Sequence, residues 1–106
     1  MTPEEKLNIE ARAVELLRTV FDPEIPVDIY SLGLIYRIEI TDEAVRQIDM
    51  TLTAPNCPAA DFLVEDARLK LESIAGVKSV EINIVFEPEW TKDMMSEEAK
   101  LDLGFL

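Results

Sequence analysis

The chain has 106 residues, 48% of them hydrophobic, with 10 basic against 22 acidic side chains and no histidine, for a formal charge of −12. Such a length holds one core and not two, and such an apolar fraction excludes disorder over most of the chain. The charge argues against nucleic acids and anionic membranes as partners, because an acidic surface repels their phosphates.

The first residues, Met1-Thr2-Pro3-Glu4-Glu5, are acidic rather than signal-like, and no apolar run approaches the length of a membrane span. One cysteine forms no internal disulfide. Cytoplasmic location is therefore the expectation. Thr2 can cap a helix, Pro3 suits its first position and Glu5 stands where a capping-box carboxylate belongs. The helix that follows is expected to turn Leu7, Ala13, Val14, Leu17, Val20 and Phe21 toward a core and to stop near Asp22-Pro23, since a residue before proline avoids helical backbone.

Asp22-Pro23-Glu24-Ile25-Pro26 then reads as an irregular segment with two fixed φ angles. Tyr36, Ile38 and Ile40 alternate with Arg37 and Glu39, as in a half-buried strand. Thr41-Asp42-Glu43-Ala44 makes a turn into a second strand, residues 46–53, whose apolar face is Ile48, Met50 and Leu52. Residues 59–74 carry Leu63, Ala67, Leu71 and Ile74 at helical spacing, with Gly76 as a stop. A third strand over residues 78–86 alternates Val80, Ile82, Ile84 and Phe86 with polar neighbours.

The tail, residues 87–106, runs through Glu87-Pro88-Glu89-Trp90 to Ser96, an N-cap for a short last helix that Gly104 ends. Trp90, Met94 and Met95 either anchor this tail on the core or offer a contact surface to a partner. The expected fold is a single α/β (α+β) domain over residues 1–106, in the order α-β-β-α-β plus a short C-terminal helix. Its mixed three-stranded sheet is packed by helices, with a crossover between the second and third strands.

Few residues offer chemistry. Without histidine there is no Ser-His or Cys-His dyad and no histidine metal site, and the glycines lie too far apart for a phosphate loop. Most carboxylates fall on solvent-facing helix positions. Asp22, Glu24 and Asp28 do not; they cap helices, or approach the cysteine if the first helix packs beside the second. Cys57 stands in Leu52-Thr53-Ala54-Pro55-Asn56-Cys57-Pro58, where a strand hands over to a helix. Pro58 fits a first helical turn, and free N–H groups there favour a thiolate, which is both a nucleophile and a soft metal ligand. The plainer alternative is a small residue filling a tight turn.

Four stretches occur in a telling order: Asp22-Pro23-Glu24-Ile25; Asp28-Ile29 with Leu32-Gly33-Leu34-Ile35-Tyr36; the Cys57 run with Thr53, Pro55 and Pro58; and Trp90-Thr91 with Met95-Ser96-Glu97-Glu98-Ala99-Lys100. Together they resemble the iron–sulfur cluster assembly family that includes the SufT proteins, the phenylacetate-pathway PaaD proteins and the eukaryotic cytosolic targeting factor. The chain reads as the bare domain, with neither the N-terminal segment of longer SufT members nor the cysteine-rich end of PaaD. The resemblance implies a maturation factor rather than an enzyme, with its reactive cysteine at Cys57 and its acidic motif at Asp22, Pro23 and Glu24.

Chemistry constrains that role. A cluster normally takes four ligands, usually thiolates. A single thiolate can hold one only transiently, with a scaffold, a client protein or a second copy of the chain completing the shell. No tightly bound cofactor is expected. Two alternatives are a thiol-dependent redox or nucleophilic enzyme, which lacks a base and a resolving cysteine, and a pure protein-interaction module.

Overall fold

In the computed structural model, which describes residues 2–23, 25–41, 45–53 and 60–104, the expected order of elements is found. Helix α1 spans Pro3–Leu17 and opens on Thr2, whose hydroxyl oxygen accepts from the Glu5 N–H. That hydroxyl also donates to Glu5 Oε1 at 3.2 Å. The Thr2 side chain thus meets Glu5 twice, through a cap legible in the sequence.

The helix ends five residues before Asp22, earlier than its apolar spacing suggests. Extended pairing wins there. The Ile29 N–H donates to the Val20 carbonyl and the Asp22 N–H to the Val27 carbonyl, while Phe21 and Asp28 form an antiparallel bridge. Consequently Phe21 points away from the core and is 59% exposed. Leu7 is exposed as well, and Ile9 takes the core position beside Ala13 and Leu17.

Strands β1 (Ile35–Ile40) and β2 (Val45–Met50) pair antiparallel, and β2 pairs in parallel with β3 (Ser79–Ile84), so β2 is central among the described strands. Helix α2 (Ala60–Glu72) lies in the crossover between the parallel strands. Residues 42–44, where the β1–β2 turn was expected, lie outside the described residues. Helices α1 and α2 pack on each other, with α1 against β1 and α2 against β3. Between them and the sheet lie Ile48, Met50, Leu63, Ala67 and Leu71, all buried.

One strand departs from simple alternation. Ile35 sits opposite Met50 but Arg37 sits opposite Asp49, leaving Tyr36 as the extra residue of a bulge. Ile35 therefore takes the core-side register expected of Tyr36. Ile84, which ends β3, and the following Phe86 are exposed rather than buried as their alternation suggests. A short last helix, α3 (Glu97–Asp102), is capped by Ser96, whose side chain accepts from the Ala99 N–H.

Candidate functional site

Because β2 and β3 run parallel and β1 runs against them, three chain ends share one edge of the sheet. Residues 28–34 enter β1 there, residues 51–53 leave β2 toward Cys57, and residues 85–90 leave β3. In open sheets with parallel strands this carboxyl edge is where ligand sites gather. Backbone bonds tie the three segments together. The Thr51 N–H donates to the Leu34 carbonyl at 2.8 Å, and the Val85 N–H donates to the Met50 carbonyl at 2.9 Å.

The acidic segment is held by its own side chains. Asp22 is 4% exposed, and its Oδ1 accepts from the Ile25 N–H at 3.1 Å. Asp28 repeats the device, its Oδ2 accepting from the Ser31 N–H at 2.9 Å. Each carboxylate fixes a turn three residues long, as short acidic side chains do. Glu24, Pro55, Cys57 and Pro58, singled out in the sequence, lie outside the described residues.

The tail folds back onto the same edge. The Trp90 indole N–H donates to the Leu32 carbonyl at 2.7 Å, and the Ser96 N–H donates to the Ser31 carbonyl at 2.9 Å. Bulged Tyr36 donates its hydroxyl to the Pro88 carbonyl at 2.7 Å, with Met94 Sδ 3.5 Å away. Met95 is buried, while Trp90 and Met94 are half-buried. The first two motifs, the strand before Cys57 and the tail therefore meet around residues 28–34.

Three residues contribute in ways that the sequence did not assign to them. Gly33 has φ +82°, and a Cβ there would collide with the Met94 carbonyl oxygen, so only glycine lets the tail approach. A glycine inside an apolar run was the available signal. Tyr36 acts through its bulge, which no residue pattern announced. Thr51 is buried, and its hydroxyl has no hydrogen-bond partner among the described residues.

Two hollows flank this edge. Thr51, Leu52, Thr53, Phe86, Glu89 and Trp90 line a pocket of about 150 Å³. A wider, more apolar basin of about 380 Å³ is bounded by Phe21, Pro23, Phe62, Leu63 and Asp66, and the Phe62 ring on the first turn of α2 is 80% exposed. Most other charged groups are solvated decoration: Arg68 bonds both Glu65 and Glu72 on α2, and its hydrogen bond to Glu65 holds the guanidinium above its ordinary pKa. Among the described residues, no helix is long and apolar enough to cross a membrane.

Comparison with known proteins agrees with this architecture. A curated Fe-S protein maturation auxiliary factor of Porphyromonas gingivalis is 61% identical over 102 residues, covering 96% of this chain and 97% of that protein. The Fe-S protein maturation auxiliary factor SufT of Staphylococcus aureus is 45% identical over 85 residues, covering 80% of this chain and 97% of that protein. A crystal structure of a domain of unknown function from Bacillus anthracis superposes with a TM-score of 0.90 at 34% identity, over 99% of this chain and all of that one. With residues 10–84 matching the family described as iron–sulfur cluster assembly protein, the chain belongs to that family.

Proposed function

We propose that this chain acts in iron–sulfur protein maturation as a cluster carrier or client adaptor working through Cys57, and not as an enzyme. Membership of the assembly family sets the process. The observation that carries the finer reading is the basin of Phe21, Pro23, Phe62 and Leu63. It joins the Asp22 motif to the first turn of the helix that follows Cys57, and it leaves an aromatic ring in solvent where a client can cover it.

The cluster is cargo in this scheme. A cluster normally has four ligands, yet the chain holds one cysteine and no histidine. Among the described residues no three Cys, Asp or Glu side chains gather as a metal site. That donor set fits a cluster in passage, shared with a scaffold, a client or a second copy, and does not fit a resident one. A soft thiolate ligand together with an apolar docking surface is what transfer by ligand exchange needs.

Two variants test the scheme in cells lacking their own factor, with the activity of an iron–sulfur enzyme as readout. Cys57→Ala is expected to fold, since alanine is no larger than cysteine and adds no polar group, yet to abolish maturation. Phe62→Asp is expected to lower maturation while leaving the thiol free to react with an alkylating agent at the wild-type rate. Full maturation by Cys57→Ala would overturn the carrier role and leave the adaptor role to stand on Phe62 alone.

A further inference from the structure

We propose that the pocket beside Trp90 receives an arginine side chain of a partner protein. Its walls are chemically mixed in a way that suits one kind of occupant. Trp90 donates its only N–H to the Leu32 carbonyl, so what the ring can offer a guest is its π face. Phe86, 49% exposed, adds a second aromatic surface. Glu89 brings a carboxylate that has no ion pair among the described residues, and no basic side chain among them lines the hollow. Buried Thr51 and Leu52, with Thr53, complete the lining.

A guanidinium suits the aromatic and acidic walls together. Its plane stacks on the indole and its fork meets the carboxylate. Size narrows the choice: at about 150 Å³ the hollow is smaller than the roughly 300 Å³ at which small-molecule sites begin, so a single side chain fits and a nucleotide does not. Charge points the same way, because a surface of net −12 draws basic partners. Lysine is the poorer guest, being more strongly hydrated and unable to stack.

The proposal goes beyond the Cys57 scheme and does not depend on it, for no wall of the pocket is a thiol. Trp90 is the chain's one tryptophan, so its emission reports on the pocket directly. The full chain is titrated at low salt with the peptide Gly-Gly-Arg-Gly-Gly, and with the matching lysine and citrulline peptides. Citrulline keeps the shape and loses the charge.

A saturable change in emission is expected with arginine, a weaker response with lysine and none with citrulline. Glu89→Gln is expected to weaken arginine binding by roughly 1.5-fold to fivefold, the range of an exposed ion pair. Glu89→Gln lies on the surface, so the fold does not depend on it. No saturable response, an equal response to citrulline or lysine, or indifference to Glu89→Gln would overturn the proposal. A change that follows chain concentration instead would overturn it in favour of a second copy. Repeating the titration with Cys57→Ala keeps the result separate from the maturation assay.

Discussion

Two irregular segments frame the working edge of the sheet, and they are held in opposite ways. Residues 22–31 are stapled from within: Asp22 and Asp28 each bond an N–H three residues ahead, and Asp22 and Val27 are joined through the backbone. Residues 87–96 are pinned mainly from without, at Leu32 by Trp90, at Ser31 by Ser96, at Tyr36 by Pro88, and over Gly33 by the Met94 backbone. The first is a local structure that the core supports. The second has a shape only because the rest of the domain is already formed. Local staples fail one turn at a time, whereas a docked segment fails as a unit.

Gly33→Ala is expected to have the largest effect. The new Cβ combines left-handed backbone with collision against the Met94 carbonyl, a cost of about 2–5 kcal/mol. Urea unfolding would measure it, and Trp90 emission should shift red as the tail lifts. A loss below about 1 kcal/mol would mean that the tail tolerates displacement and is no docked unit.

Asp22→Ala comes next, removing a buried carboxylate and orphaning the Ile25 N–H, at about 1–3 kcal/mol. In a domain of this size each kcal/mol lowers the melting temperature by about 4–8 °C. Asp22→Asn keeps an acceptor and should recover most of the loss. Equal damage from both variants would show that the charge matters beyond the turn it caps. Tyr36→Phe is the mildest, losing one bond to the Pro88 carbonyl for about 0.5–1.5 kcal/mol. Its change should appear around Trp90 and leave residues 22–31 untouched, a contrast that backbone amide exchange would read.

The parts of the fold legible in the sequence are those with strong periods. Ile48 and Met50 announced the central strand, Leu63, Ala67 and Leu71 the second helix, and a helix of that length between strands allowed the parallel pair. What the periods hid was competition from partners far along the chain. Val20 and Phe21 continue a helical stripe, yet their backbone pairs with residues 28 and 29, which no local pattern reveals. Tyr36 fits strand alternation perfectly well, but it sits at a bulge and its hydroxyl bonds Pro88, 52 residues away. At the site, Asp22 and Asp28 were legible because short carboxylates before turn residues act locally. Thr51 was not: its hydroxyl matters for where it lies, and threonine on a strand is ordinary.

The long-range pins have a consequence for how the protein is made. Trp90, Met94 and Ser96 are synthesised after every group they cover. Until they emerge, a nascent chain carries the sheet edge with the Ser31 and Leu32 carbonyls open and Gly33 bare. Translation delivers about 5–20 residues each second, slow beside the helix and hairpin formation that precedes docking. The edge that leads to Cys57 is thus completed from the far end of the chain, so a stalled or clipped product would hold a folded sheet and an unfinished site.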